Sequence, residues 1–233
     1  IATATVYTAS TVAGANAPTA TVTGSNPQLQ ATFSLTNLAG AAADITRLGL
    51  AQSTVVNTSF SDRLAAKVTD FFGNPVSGVT VTFSSGGAGT IAGGTTAVTD
   101  STGTATSGIV TAGTLAGVYL PTARAPGGLS ISLPLLTVLP GPASILVPQG
   151  AAQSTPVTQS FPSPLSVKVT DTFGNAVSGV TVTFAANGAG TLPGGTTTLS
   201  NSAGIASSGT LVAGTNAGAF TPGAATSFAT IAL

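Results

Sequence analysis

Two aspartates, Asp70 and Asp171, are the residues of this sequence best placed to do chemistry. Each opens the turn D-x-F-G-N, which ends in Gly73–Asn74 in the first copy and in Gly174–Asn175 in the second. A carboxylate beside loop carbonyl groups can bind Ca²⁺, but a calcium site usually gathers several carboxylates and each turn has one. The pattern therefore favours an Asx turn, in which Asp accepts backbone N–H groups and the Gly-Asn pair takes positive φ. No metal ion or other cofactor is predicted.

A third aspartate, Asp100, lies in the stretch VTDSTGTA and corresponds to Asn201 in LSNSAGIA. Asp and Asn share the same turn chemistry but differ in charge. The exchange within one chain indicates that this position needs a side-chain oxygen for a turn rather than an anion for a metal.

Asn57 begins the sequence Asn-Thr-Ser, which is an acceptor pattern for N-glycosylation. The matching position in the second copy is Thr158, which predicts that the fold does not require Asn there. Such patterns also arise by chance in chains rich in Thr and Ser, so glycosylation of Asn57 and O-linked sugar on exposed Thr residues are both left open.

The composition excludes most enzyme classes. Charged residues make up 4% of the 233 residues, and His, Cys, Met, Trp and Glu are absent, whereas soluble domains carry roughly 25% charged residues. General acid–base and nucleophilic catalysis need His or another tuned group next to the reacting atoms, and zinc sites need His or Cys. We therefore predict that the protein is not an enzyme. The formal net charge of zero also gives no attraction to nucleic acid or to an anionic membrane.

The longest apolar stretch, LSISLPLLTVLPGPASILV at 129–147, is long enough to suggest a membrane span. Pro134, Pro140 and Pro142 would break a helix there, and Ser and Thr alternate with apolar residues. The stretch is predicted to form strand, linker and strand, with no membrane span.

An internal repeat defines the organisation of the chain. KVTDFFGNPVSGVTVTF at 67–83 recurs as KVTDTFGNAVSGVTVTF at 168–184, 101 residues later (168 − 67). The tetrapeptides AQST, GAGT and GGTT recur with the same offset. The repeat therefore predicts two units of about 100 residues, which is an ordinary domain size.

A partial third copy lies at the N-terminus. ASTVAG at 9–14 matches AGTLAG at 112–117 and AGTNAG at 213–218, so that Ile1 aligns with Thr104 and Ile205 in the middle of a unit. The predicted organisation is the C-terminal half of a unit at 1–40, a whole unit at 41–139 and a second whole unit at 140–233. The half-unit would be completed either by preceding chain or by another protomer.

Each unit has the pattern of β-structure. In LSVKV at 165–169 and VTVTF at 79–83, apolar and polar residues alternate, which is typical of strands with one buried face. Lys67 and Lys168 lie three residues before their Asp, so the two side chains should lie on opposite faces of the strand, with Lys on the outer one. Short strands with frequent Gly and Pro turns predict an all-β fold of tandem immunoglobulin-like β-sandwiches.

The repeated motif resembles a known family. The run V-T-D-x-F-G-N-x-V-S-G-V-T-V-T-F, followed by G-A-G-T, G-G-T-T and T-D-S-T-G-T-A, is similar to the bacterial Ig-like repeats of invasin- and intimin-type surface proteins. The resemblance covers both whole units and, more weakly, the N-terminal half. It implies an Ig-like sandwich in an extracellular repeat protein, without catalytic residues, that serves as a stalk or an adhesive module.

These observations predict a structural extracellular repeat protein, a subunit or segment of a cell-surface filament, stalk or sheath. An Ig sandwich cut in half exposes strand edges that can pair with another chain. The predicted partner is therefore a neighbouring repeat or another copy of the chain, assembled head to tail by β-strand complementation. The alternative is a bacterial adhesin module that binds a glycan or a protein on a host surface.

Overall fold

The computed structural model describes residues 3, 6–149 and 152–233. The predicted alignment of Ile1 with Thr104 and Ile205 therefore lies outside the described residues. Within them the chain forms short β-strands joined by turns, and the only helical element is a 3-10 turn at Pro126–Gly128. This confirms the predicted all-β fold, whose short strands follow from Gly and Pro punctuation at close intervals.

The N-terminal segment forms four short strands in two antiparallel pairs. Strand β1 pairs with β4, and β2 pairs with β3, so that Thr19 lies opposite Thr32 and Ala20 opposite Ala31. The bounds are β1 (Gly14–Asn16), β2 (Thr19–Thr21), β3 (Gln30–Thr32) and β4 (Leu35–Asn37).

The next part of the chain contains twelve strands, most of them three to five residues long. Their bounds are β5 (Ala42–Leu48), β6 (Gln52–Val55), β7 (Ala65–Asp70), β8 (Thr80–Ser84), β9 (Gly89–Ile91), β10 (Thr96–Val98), β11 (Thr104–Thr106), β12 (Val110–Ala112), β13 (Gly117–Tyr119), β14 (Thr122–Arg124), β15 (Ser130–Ser132) and β16 (Leu136–Leu139). One sheet has the strand order β10-β8-β14-β15, and a second has the order β11-β7-β5. The strands of each sheet are antiparallel, as in an Ig-type sandwich.

The last part repeats this arrangement with nine strands. They are β17 (Ile145–Gln149), β18 (Ser166–Thr170), β19 (Thr181–Ala185), β20 (Gly190–Thr191), β21 (Thr197–Leu199), β22 (Ile205–Ser207), β23 (Val212–Ala213), β24 (Gly223–Ala225) and β25 (Thr230–Ala232). The sheet β21-β19-β24-β25 repeats the order β10-β8-β14-β15, and the sheet β17-β18-β22 matches β5-β7-β11. The repeat in the sequence is therefore a repeat in topology.

Contacts divide the described chain into two compact units. Unit 1 comprises Ile1–Ser53, Thr58–Ala112 and Val118–Thr137, and unit 2 comprises Thr54–Asn57, Gly113–Gly117 and Val138–Leu233. The loop 113–117 thus belongs to unit 2 by its contacts, although the repeat in the sequence assigns it to the unit at 41–139. The boundaries 1–40, 41–139 and 140–233 remain a prediction about the evolutionary repeat.

The hydrophobic core follows the repeat residue by residue. In unit 1, β8 buries Val81 and Phe83, while the intervening Thr residues are exposed. In unit 2, β19 buries Val182 and Phe184 in the same way. The remaining buried residues of the unit 2 cluster are Leu146, Val167, Val169, Ala206 and Ala224. The predicted alternation of β8 and β18 is confirmed, because burial of one strand face removes apolar surface from water.

The apolar stretch 129–147 forms β15 and β16, then the segment with Pro140 and Pro142, and then the start of β17. It thus contains one more strand than the sequence predicts. Among the described residues, no helix has the length and apolar character needed to cross a membrane.

Candidate functional site

The carboxylate of Asp70 lies at the end of β7 and is buried, with 4% of its surface exposed. Its Oδ1 accepts the backbone N–H groups of Phe72 and Asn74, both at 2.9 Å. Its Oδ2 accepts the N–H of Gly40 at 2.8 Å and the side-chain Nδ2–H of Asn74 at 2.9 Å. Four N–H groups thus surround one carboxylate, which offsets the loss of its hydration.

The same arrangement recurs in unit 2 around Asp171, which is completely buried. Oδ1 accepts from the backbone of Phe173 at 2.8 Å and of Asn175 at 2.9 Å, and Oδ2 accepts from Gly141 and from Asn175 Nδ2, both at 2.8 Å. We call each Asp with its Asn an Asp–Asn clamp: Asp70 and Asn74 in unit 1, and Asp171 and Asn175 in unit 2.

The backbone of the turn differs in one respect from the expectation that both Gly and Asn take positive φ. Gly73 and Gly174 have φ of 84° and 85°, whereas Asn74 and Asn175 are not among the residues with positive φ. Glycine is favoured there because it has no Cβ to clash in the left-handed region. At the next position, Asn contributes through the hydrogen bonds of its side chain and not through its backbone conformation.

The amide of the clamp Asn holds a second stretch of backbone far away in the sequence. In unit 1, Asn74 Nδ2 donates to the carbonyl of Thr11 at 2.8 Å, and Oδ1 accepts the N–H of Ala13 at 2.9 Å. In unit 2, Asn175 Nδ2 donates to Thr114 O and Oδ1 accepts from Ala116 N, both at 2.8 Å. We call residues 11–13 and 114–116 the receiving segments.

The contact requires two N–H donors and one acceptor oxygen in the same side chain, and the amide of Asn provides all three. The carboxylate of Asp171 takes one of the two protons of Asn175 Nδ2 and thereby fixes the orientation of the amide. The other proton and the amide oxygen then bond Thr114 O and Ala116 N. The amide thus acts as the N–H and C=O groups of a neighbouring strand would. In each clamp, the Asp therefore orients the Asn amide, and the amide binds the backbone of a second segment.

The hydrogen bonds of the clamps lower the pKa of both aspartates. The side-chain hydrogen bond from Asn74, followed by the backbone bond from Gly40, lowers the pKa of Asp70 from 3.8 to about 2. Burial alone would raise the pKa of Asp171, but the bonds from Asn175, Gly141 and Phe173 lower it overall. Both aspartates are therefore held as anions by hydrogen bonds to uncharged groups.

Asp100 and Asn201 form matching exposed turns. Asp100 Oδ1 accepts from the backbone of Thr102 at 2.8 Å and Thr104 at 3.0 Å, and Asn201 Oδ1 accepts from Ala203 and Ile205, both at 3.0 Å. The side chain of Thr102 and the backbone bonds lower the pKa of Asp100. Either side chain can make the turn, because each bond uses only an oxygen.

Asn57 is exposed and has φ of 60°, and Thr158 at the matching position has φ of 64°. Asn tolerates the left-handed region better than a β-branched residue does. The backbone at this position favours Asn, but Thr158 takes the same conformation in the second copy, in agreement with the expectation that the fold does not require Asn there. Its glycosylation stays a prediction.

Several residues of the clamps were missed by sequence reasoning. Gly40 and Gly141 lie 101 residues apart, and each donates to a clamp Asp. The repeat in the sequence relates the receiving segments to one another but does not predict their contact with the clamp Asn. Lys67 lies on the outer face of β7, where buried and half-buried residues alternate, and Asp70 lies on the buried face.

In the part of the chain that the structure describes, no group of three or more His, Cys, Asp or Glu residues is placed to hold a metal ion. The donors around Asp70 and Asp171 are N–H groups, which occupy the carboxylate oxygens that a cation would need. Each of the two carboxylates is thus bonded by N–H groups of the chain itself.

The fold is similar to those of several bacterial proteins of known structure. InvD of Yersinia pseudotuberculosis matches with a TM-score of 0.54 and 20% identity, over 97% of this chain and 77% of that one. FdeC, an Escherichia coli adhesin, matches with a TM-score of 0.43 and 19% identity over 85% of this chain, which spans 65% of the FdeC structure. Invasin, described as a bacterial integrin-binding protein, matches with a TM-score of 0.36 and 20% identity. The match covers 82% of this chain and 39% of the invasin structure.

The similarity to InvD confirms the predicted resemblance at the level of the fold, which is a set of Ig-like β-sandwiches. No family model matches the chain, and no curated protein sequence does so.

Replacing Asn175 by Asp should destabilise unit 2, because the new carboxylate oxygen would face both Asp171 Oδ2 and Thr114 O, which the amide now bonds at 2.8 Å. We expect the free energy of unfolding in urea to fall by about 2 kcal/mol or more. The matched control is Asn201→Asp, which should change it little because Asp100 already occupies that position in unit 1. Equal effects of the two substitutions would contradict the role given to Asn175.

The stability should depend on pH through Asp70. Because its pKa in the folded protein, about 2, is below the 3.8 of the unfolded chain, its contribution is complete above pH 4 and is lost as the pH falls toward 2. Asp70→Asn should flatten this part of the curve of urea midpoint against pH, measured from pH 6 to pH 2. Asn74→Ala, which removes the largest cause of the shift, should flatten it partly. A slope unchanged in Asp70→Asn would show that the carboxylate does not contribute in this way.

Proposed function

We propose that this chain is a structural segment of an extracellular, cell-surface stalk or filament, and that its N-terminal half-unit is completed by a strand from preceding chain or from another protomer. The proposal rests mainly on one observation, which is the open edge of β2. It gives the chain no catalytic role. The partners are neighbouring Ig-like units of the same kind.

Three hairpins of the chain are equivalent in their hydrogen bonds. The N–H of Phe33 donates to Pro18 O at 2.9 Å, Leu133 donates to Pro121 O at 2.9 Å, and Leu233 donates to Pro222 O at 2.8 Å. The hairpin β2–β3 therefore corresponds to β14–β15 and to β24–β25. In the latter two, the first strand also pairs with the Val-Thr-Val-Thr-Phe strand, β8 or β19.

The first hairpin differs from the other two because β2 pairs with β3 alone among the described residues. The carbonyl of Pro18 accepts from Phe33, and the N–H of Val22 donates to Leu29, so both residues face β3. Because alternate residues of an antiparallel strand face opposite neighbours, Thr19 and Thr21 direct their backbone N–H and C=O groups to the other edge. An unpaired strand edge is a template for another strand.

Burial at equivalent positions supports the same interpretation. Leu133 is 1% exposed, whereas Phe33 at the matching position is 53% exposed. Ala123 is fully buried under its sheet, and all three residues of β2 are exposed. A Val-Thr-Val-Thr-Phe strand at the β2 edge would cover this apolar surface, with a gain of about 25 cal/mol for each Å² removed from water.

The small number of charges is also consistent with assembly. Charged residues make up 4% of the chain, so little like-charge repulsion opposes the packing of one chain against another. Heterologous contacts of this kind produce open filaments when the rotation between subunits does not close a ring.

The test is a chain that carries a copy of residues 41–103 ahead of residue 1, which restores the repeat register. We expect amide hydrogen exchange at Thr21 to slow by about ten-fold or more, with Val22, already bonded to Leu29 O, as the reference. Exchange at Thr21 that stays fast would contradict completion of the half-unit.

Electron microscopy of the original chain then distinguishes the source of the missing strand. Fibres with an axial repeat on the order of tens of Å, the length of an Ig-like unit, would indicate donation by another chain. Such fibres should be lost in Thr21→Pro, which removes the edge N–H, but kept in Thr21→Val. Monodisperse monomers would contradict strand exchange and leave the preceding part of the same polypeptide as the donor.

A second candidate function, an adhesin module, is favoured by an exposed aromatic pair in the first clamp loop. Phe71 and Phe72 are 85% and 62% exposed, with ring centroids 5.4 Å apart at an angle of 85°. Position 172 in the second copy is Thr, so the pair occurs in one unit only. Exposed aromatic rings are frequent anchors in binding surfaces.

The adhesin function predicts binding of the full chain to a glycan array or to host cells. The double substitution Phe71→Ser and Phe72→Ser should reduce that binding by about ten-fold or more, as loss of an anchor residue would. The matched control is Phe173→Ser in the second turn. Binding no higher than background, or binding equal in all variants, would exclude this function for the aromatic pair.

A further inference from the structure

The sequence Thr-x-Ala-Gly occurs three times at equivalent positions, as TVAG at 11–14, TLAG at 114–117 and TNAG at 215–218. The first two contain the receiving segments, and each is held by a clamp Asn through one carbonyl and one N–H group. The third copy contains the same two groups, the carbonyl of Thr215 and the N–H of Ala217.

The third copy shares the bend of the receiving segments, although residues 218–220 do not form the strand that follows the first two copies. A bend occurs at 11–12, at 114–115 and at 215–216. The residue before it is anchored alike in both later copies, because Gly113 O accepts the N–H of Asn57 at 3.1 Å and Gly214 O accepts that of Thr158 at 3.2 Å. Because the bend and its anchor are already formed, an occupant would lose less entropy in ordering these residues.

The two binding groups of the third copy have no partner. Within residues 152–233 and the rest of the described chain, no hydrogen bond reaches Thr215 O or Ala217 N, and both residues are exposed. The equivalent Ala116, under its clamp, is half-buried.

The spacing along the chain indicates where the occupant would come from. Asn74 lies 63 residues after Thr11, and Asn175 lies 61 residues after Thr114. A clamp Asn at a similar spacing from Thr215 would lie beyond Leu233. Both clamps of this chain are already engaged with receiving segments of their own unit, so neither is available for Thr215.

We propose that residues 215–217 form the docking site for the Asp–Asn clamp of a further Ig-like unit, carried on the same polypeptide after Leu233. Its Asn would donate to Thr215 O and accept from Ala217 N, oriented by its own Asp. This inference rests on the proposed stalk function and deepens it, because it names the contact by which each added unit is held.

A chain extended after Leu233 by a copy of residues 134–233 tests the proposal, since Leu133 and Leu233 hold the same place in their hairpins. Amide hydrogen exchange is measured by NMR at Ala217, with Ala116 as the internal reference. We expect exchange at Ala217 to slow by about ten-fold or more relative to the original chain. Replacing the copied Asn175 by Ala in the appended unit alone should restore fast exchange.

Three results would overturn the proposal. Exchange at Ala217 could stay fast in the extended chain while Ala116 remains protected and the appended unit is folded. The appended unit could fail to fold, although it is a copy of one that folds when its clamp is engaged. Ala217 could also be protected in the original chain in a concentration-dependent way, which would make a second copy the occupant.

A second variant, Ala217→Pro, removes the N–H that the appended Asn would bond. It should lower the urea midpoint of the extended chain and leave that of the original chain nearly unchanged. Equal effects in both chains would also contradict the proposal. None of these measurements involves the β2 edge, so the failure of this inference and the failure of the proposed function are distinguishable.

Discussion

A carboxylate that is removed from water must be surrounded by donors, and this requirement organises each unit of the protein. Asp171 is completely buried and is bonded by four N–H groups, two of which come from Asn175 and one from Gly141. Gly141 lies 30 residues before Asp171, whereas the other donors lie within four residues after it. Satisfying one anion therefore fixes the turn, the start of the unit and the orientation of the Asn amide together.

The sequence predicted the fold because the relevant signals are local. Alternation in Val-Thr-Val-Thr-Phe predicts a strand with one buried face, and β8 and β19 have that pattern. The repeat offset also predicted the correspondence of the two sandwiches. The division of the chain by contacts was not predictable in this way, because loop 113–117 packs with unit 2 rather than with its neighbours in sequence.

The candidate site was predicted only in its local part. The bonds from Asp70 to Phe72 and Asn74 lie within four residues, so turn chemistry was sufficient to expect them. The bonds from Asn74 to residues 11–13 join positions about 60 residues apart, and small residues such as Ala and Thr carry no signal of such a contact. The Asn was expected to serve the backbone of its own turn, whereas its side chain serves another segment.

The clamps also determine how the protein responds to dissolved salt. Each buried carboxylate is neutralised by peptide and amide dipoles instead of a Lys or Arg side chain. Mobile ions screen exposed charge pairs at separations beyond about 8–10 Å in physiological salt but act much less on buried, short hydrogen bonds. With charged residues at 4% of the chain, cohesion within each unit is largely independent of ionic strength.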